Sequence, residues 1–357
     1  MKFFLWLILT GCFAITAAEI NIDANPTHLI ISSDAKVSEI IFTPKINEQA
    51  LTRTALTIHE IHQDGTCKKY SPRTGSDGKA IFKFSTEQPP KSIIASIPGK
   101  TAAEVCIGTI QPDEWQRNGE MAKKVKLNKN LRILFLGDSL TDFNRGENFA
   151  DKLNFWLNLN NPEKASFRNA GIGGDYITRM WQRMAGIEGS KKAYRQEMYE
   201  GLLNEKPDLI FIFLGHNDTK TNSTSNHTTP VVTPEVQEKT YRDLINFVQQ
   251  KIGGKIVLVS SSSSNYELCK ANSEKLEKSR PGKPCSRFGE PKHMEAFNNV
   301  LKKIAGELKL DYVDIYQPMK TRDDKAKLLS PRDGVHLSEH GHDFIATELL
   351  RYMALQQ

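Results

Sequence analysis

From residue 131 onward the chain alternates apolar strand-type runs with helical patterns, and this alternation limits the possible folds more than any other feature. The runs lie at 131–136, 166–169, 208–214, 256–260 and 312–315. Between and after them, helix-period segments occupy 147–157, 191–204, 234–251, 291–308 and 338–353. In 234–251, Tyr241, Leu244, Ile245 and Val248 share one face, and in 291–308, Phe297, Val300, Leu301 and Ile304 do the same. Consecutive parallel strands need crossover helices, which cover both faces of the sheet, so an α/β domain with a mainly parallel sheet is expected over 131–357.

The N-terminal part reads differently. Short β-type runs at 28–31, 39–42, 56–61, 81–84, 92–97 and 105–110 are separated by turn signals such as Asp64-Gly65 and Pro98-Gly99. A small β-sandwich-like accessory domain is expected over 19–116, followed by a polar linker over 117–130. The linker holds the one basic cluster, 123–129, and the net charge of +6 is otherwise spread out. A solvated hinge is the simpler reading of that cluster, and no nucleic-acid partner is expected. With 39% hydrophobic and 25% charged residues, the composition excludes disordered, collagen-like and multi-span membrane classes.

Residues 1–18 read as a signal peptide: Lys2, an apolar run from 3 to 18, and small residues at Thr16 and Ala18, with cleavage expected after Ala18. The run is short for a membrane span, and no later run is long enough for one. A secreted or periplasmic protein follows. As an alternative, Leu9-Thr10-Gly11-Cys12 resembles a bacterial lipobox, which would make Cys12 a lipidated anchor. Apart from Cys12, Cys67, Cys106, Cys269 and Cys285 form an even set, and in an exported chain this suggests disulfides, Cys67 with Cys106 and Cys269 with Cys285. Free buried thiols are the competing reading.

In open parallel sheets ligands bind beyond the carboxyl ends of the strands. The first strand ends in Gly137-Asp138-Ser139-Leu140, where a serine on a tight turn is either an exposed nucleophile or a helix cap. The surrounding residues do not form Gly-x-Ser-x-Gly. The second strand runs into Asn169-Ala170-Gly171-Ile172-Gly173-Gly174-Asp175, a loop whose glycines let the backbone approach a ligand or merely turn. After the third strand comes Gly215-His216-Asn217-Asp218, where the Asn217 amide can either serve an oxyanion or close an Asx turn. Before the last helix stands Asp333-Gly334-Val335-His336, in which a carboxylate three residues ahead of a histidine can hold its imidazole N–H. His340 and His342 read as structural. No His/Asp/Glu cluster has metal-ligand spacing, and neither a metal nor a cofactor is expected.

In this order, the four blocks resemble the SGNH hydrolases, the GDSL esterase/lipase family, whose serine, glycine, asparagine and histidine are matched by Ser139, Gly174, Asn217 and His336. The resemblance covers 131 to the C-terminus. It implies a flavodoxin-like sheet of order 2-1-3-4-5, catalytic Ser139, Asp333 and His336, and an oxyanion hole formed by the N–H groups of Ser139 and Gly174 with the Asn217 amide. The long polar loop 219–233 departs from the pattern and is placed to shape substrate access. The expected function is ester hydrolysis through an acyl-enzyme, acting on an acylated small molecule or polysaccharide and removing acetyl groups from extracellular carbohydrate. The alternatives are a lipase- or lysophospholipase-type esterase and a catalytically silent glycan-binding protein. The N-terminal β domain is read as a structural cap ahead of a carbohydrate-binding module.

Overall fold

A computed structural model describes residues 20–26, 28–32, 37–62, 66–97, 101–110, 112–187 and 193–356. The expected signal peptide, with Cys12, lies outside them. The chain divides into two compact units, Met1–Thr27 with Lys36–Val105, and His28–Ala35 with Cys106–Gln357.

The first unit is antiparallel. The strand Val37–Ile46 pairs with Ile20–Asn25, Gln49–Ala50 and Ala80–Ser85, while Thr57–Ile61 pairs with Cys67–Tyr70 and Ser92–Ile97. Alternation sets the inner faces: Ala80, Phe82 and Phe84 are buried and the residues between them are exposed, and Ile40, Phe42, Ile58 and Ile93 are buried as well. These antiparallel strands fit the expected β-sandwich-like character.

Two boundaries differ from the sequence reading. Strand His28–Ser32 pairs in parallel with Cys106–Ile110, and both segments belong to the second unit. The expected linker is largely helix α1, Pro112–Lys124. Among its described side chains, Ala122, together with Val125 just beyond the helix, enters the apolar core, and the buried Asn118 donates through Nδ2 to Thr347 Oγ1 at 3.0 Å.

The second unit is built on strands β1 (Leu131–Gly137), β2 (Ala165–Asn169), β3 (Leu209–Phe213), β4 (Lys255–Val259) and β5 (Asp311–Val313). They form one parallel sheet of order 2-1-3-4-5. Side chains point alternately to the two faces. Ile133, Phe135, Phe211 and Phe213 pack on one side with Phe149, Trp156, Ile345 and Leu349, whereas Leu134, Leu136, Ile210 and Ile212 pack on the other with Met180, Tyr241, Leu244 and Phe297. Coverage of both faces explains why the strands read as continuous apolar runs.

The covering helices are α2 (Phe149–Asn160), α3 (Ile177–Ala185), α4 (Pro234–Phe247), α5 (Tyr266–Ser279), α6 (Pro291–Leu308) and α7 (Glu339–Leu355). Their starts follow local chemistry. Asn148 and Asp151 form a capping box at α2, Thr233 precedes Pro234 at α4, and Ser338 Oγ accepts from Gly341 N at 3.2 Å at α7. The helix expected over 191–204 is replaced, among the described residues, by a 3₁₀ turn at Gln196–Tyr199 and a single turn at Leu202–Glu205. Arg195 (φ 54°) and Gly201 (φ 81°) interrupt it with left-handed backbone. Among the described residues no helix is long and apolar enough to cross a membrane.

No disulfide is seen among the described cysteines. Cys67 is exposed and free, and Cys269 and Cys285 are buried and free. The two buried thiols instead donate to backbone carbonyls, Cys269 Sγ to Asp333 O at 3.3 Å and Cys285 Sγ to Lys283 O at 3.5 Å. The side chain of Cys106 is not among those described.

Candidate active site

The strand order places the carboxyl ends of β2, β1 and β3 side by side, and each runs into a tightly packed turn. At the end of β1, a Cβ on Gly137 would lie 2.1 Å from Thr141 Oγ1 and 2.9 Å from Phe213 O, so only glycine fits. Asp138 then caps a one-turn helix, Ser139–Asp142, by accepting from Leu140 N at 2.9 Å. Gly171 passes close to that turn, where a Cβ would meet Asp142 N at 2.8 Å, and Gly173 N donates to Asp142 Oδ2 at 2.8 Å. Gly174 follows with φ +79°, a conformation that favours glycine. After β3, Gly215 has φ +148° and packs on Ser261, which leads into His216, Asn217 and Asp218.

The fourth block arrives from the other end of the chain. His336 Nε2 lies 3.0 Å from Ser139 Oγ, and His336 Nδ1 lies 3.1 Å from Asp333 Oδ2. The carboxylate is itself fixed: Oδ1 accepts from the N–H groups of Val335 and His336 at 2.8 and 2.9 Å, and Oδ2 accepts from Ser330 Oγ at 3.3 Å. Phe143 stacks on the imidazole with centroids 5.2 Å apart. Ser139 is 8% exposed, whereas the side chains of Asp333 and His336 are 36% and 37% exposed, so the opening lies over the imidazole and carboxylate. Among the described residues, no protein acceptor meets the backbone N–H of Ser139 or of Gly174. Both residues line one cleft with Asn217. Asn217 Nδ2 is tethered at 3.5 Å to Asp138 Oδ2.

Burial controls the charges behind this cleft. It pushes the Asp138 carboxyl up to about 7 and that of Asp218 up to about 8, against the hydrogen bonds they accept from Leu140 N and Ile177 N. Burial also pushes His216 down to about 4, so its imidazole is neutral, with Nε2 3.0 Å from Ser262 Oγ. Asp175 is raised by burial too, but Arg183 opposes this with hydrogen bonds of 2.6 and 3.1 Å. For Asp333 the balance reverses: burial would raise it, yet the two backbone N–H bonds and the imidazole hold it below its ordinary value. His342, read from sequence as structural, is buried, is driven down to about 3, and accepts from Phe149 N at 3.3 Å.

The cleft has a volume of about 360 Å³ and is bounded by Ser139, Phe143, Gly174, Asn217 and His336 together with residues of α5 and the segment after it. Sequence reasoning singled out the former loops but missed α5, whose Cys269, Asn272, Ser273 and Leu276 form one wall, and Phe288. In α5 only Cys269 and Ser273 are buried, so no apolar stripe announced it. A signal was nonetheless present: Asn265 is an N-cap residue two positions before Glu267, and its Oδ1 accepts from Leu268 N at 3.2 Å.

A hydroxyl, an imidazole and a carboxylate linked by contacts of 3.0 and 3.1 Å, at the carboxyl edge of a doubly wound sheet, form an arrangement suited to nucleophilic attack on a carbonyl. The model of the GDSL-like lipase/acylhydrolase family matches residues 135–344, more than half of the sequence, and the chain belongs to that family. Similar solved structures include a lipase/acylhydrolase from Enterococcus faecalis, with 18% identity over 63% of this chain and 96% of that one and a TM-score of 0.46. Another is the acetylxylan esterase Axe2 from Geobacillus stearothermophilus, with 21% identity over 64% and 96% and a TM-score of 0.44. A third is LAE5, an alpha/beta hydrolase enzyme from the metagenome of Lake Arreo, with 17% identity over 65% and 98% and a TM-score of 0.46. Among curated proteins, none matches the sequence.

Proposed function

We propose that this protein is a serine ester hydrolase that works through an acyl-enzyme. The observation that carries the reading is the continuous chain of contacts from Asp333 through His336 to Ser139. His336 takes the Ser139 proton as Oγ attacks the ester carbonyl, and Asp333 holds the imidazole in the tautomer that accepts at Nε2. The N–H groups of Ser139 and Gly174 and the Asn217 amide receive the oxyanion. Loss of one such donor typically costs about 10² to 10³ in rate. His336 then passes its proton to the leaving alcohol, and water attacks the acyl-enzyme by the same route, releasing the acid and restoring Ser139.

The acyl group has two readings. Asn272, Ser273 and Ser286 on the cleft wall suit a sugar hydroxyl, in keeping with deacetylation of extracellular carbohydrate by an exported enzyme. Phe143, Leu276, Phe288 and Val335 on the same walls favour the second reading, an esterase of lipase or lysophospholipase type. The test is hydrolysis of nitrophenyl esters from acetyl to decanoyl, with the Ser139→Ala variant alongside. Turnover that disappears in the variant supports a serine esterase. Absence of any serine-dependent turnover, with the fold retained, supports a glycan-binding protein instead.

A further inference from the structure

Helix α5 bridges the two parts of the second unit that the ester-hydrolase reading leaves unconnected. At its start it is fastened to the loop that carries His336: Asn265 N donates to Gly334 O at 2.8 Å, Cys269 Sγ to Asp333 O at 3.3 Å, and Asn272 Nδ2 to Arg332 O at 3.0 Å. Towards its end it is fastened to the long polar loop after β3. Glu277 Oε1 lies 2.7 Å from His227 Nε2 and accepts from Ser273 Oγ at 3.0 Å. Cys269, Ser273 and Leu276 recur at helical spacing and line the cleft, so one face of α5 forms its wall. Seven residues separate Cys269, which touches Asp333, from Leu276, a distance of about 10 Å along the axis. Phe288 and Val335 line the same cleft.

We propose that Leu276 and Phe288 form the far wall of an acyl pocket and set the length of acid that the enzyme prefers, a medium-chain acyl group rather than acetyl. The inference rests on the ester-hydrolase reading and adds its substrate class. An extended chain advances roughly 1.2 Å per bond, so an acid of about eight carbons is about as long as the stretch of wall from Cys269 to Leu276. The cleft of about 360 Å³ has to hold the alcohol as well as the acid, so its apolar lining, Leu276 and Phe288 with Phe143 and Val335, carries the assignment. Because α5 is fastened to the catalytic loop at one end and to the 219–233 loop at the other, the wall stands at a fixed distance from His336 and is formed before substrate arrives.

The experiment is the kcat/KM series for acetyl to decanoyl nitrophenyl esters with wild type, Leu276→Trp and Phe288→Ala, each variant checked for an intact thermal transition. In wild type, kcat/KM is expected to rise by about threefold to fourfold per methylene to a maximum near octanoyl. Leu276→Trp should lower the octanoyl-to-acetyl ratio at least tenfold, and Phe288→Ala should move the maximum by two or more carbons. A wild-type maximum at acetyl, or ratios within twofold of wild type in both variants, overturns the acyl-wall assignment and leaves the esterase reading standing. Absence of Ser139-dependent turnover for every ester overturns the esterase reading and the wall with it.

Discussion

His336 and Asp333 are joined twice: the imidazole Nδ1 lies 3.1 Å from Oδ2, and the backbone N–H of His336 donates to Oδ1 at 2.9 Å. The carboxylate therefore fixes both the ring and the turn that presents it. On the proposed serine mechanism, Asp333→Ala is expected to lower kcat on the order of 10⁴-fold, against about 10⁶-fold for Ser139→Ala, since the members of such a triad contribute unequally. Steady-state kinetics on a nitrophenyl ester check this. Full activity in either variant would remove that residue from the mechanism.

The turn also depends on Gly334. Its φ is +72°, and a Cβ there would lie 2.9 Å from Asn265 O at the start of α5. Gly334→Ala is expected to cost about 1–3 kcal/mol from left-handed backbone alone. Chemical denaturation reads that cost. Activity should fall too, because the displaced loop carries His336.

Arg183 and Asp175 form a fully buried bidentate pair beside Gly174. Removing the cation leaves a carboxylate in the core, so Arg183→Leu is expected to destabilise the protein by about 3–5 kcal/mol. A urea titration measures the loss, and a change under 1 kcal/mol would show that the pair is not the main stabiliser of the Gly174 loop.

Asp138 and Asp218 are raised to about 7 and about 8 by burial. A carboxyl raised on folding binds its proton more tightly in the native state, so its contribution is complete below the unfolded value near 4 and is lost as pH climbs through the folded value. These two groups should therefore lower stability as pH rises from about 4 to about 8. Asp218→Asn is expected to flatten part of that decline, read as Tm against pH. An unchanged slope would show that Asp218 is already ionised in the fold.

Cysteine chemistry separates the thiols. Cys67 is exposed, whereas Cys269 is buried and its thiol is pushed up to about 12 by burial. A thiol reagent should label Cys67 in the native protein without prior reduction and reach Cys269 and Cys285 only after unfolding. Mass spectrometry would reveal a disulfide, if one forms, as protection that persists in denaturant.

Much of this was visible in the sequence because the strands are buried on both faces and leave uninterrupted apolar runs, and because chemically distinctive loops follow them. Ser139, Gly174, Asn217, Asp333 and His336 line one cleft. What escaped notice depended on distant partners. Helix α1 is polar except for a few residues, and its Asn118 is matched by Thr347, 229 residues away. Helix α5 buries only two of its side chains, so its role as a wall arises from hydrogen bonds to two loops and not from hydrophobic periodicity. An even cysteine count says nothing about geometry: in the described structure each buried thiol donates to a backbone carbonyl.

Ser139 and His336 are 197 residues apart in the chain and 3.0 Å apart in space. The hydroxyl and its turn emerge early in synthesis of the second unit, but the imidazole follows only after β5, immediately before α7. On the proposed mechanism, the base reaches Ser139 only when the segment between β5 and α7 has docked. Ester hydrolysis through His336 would then report that the final helix has found its place, and a cut between β4 and α7 that releases the tail should extinguish it.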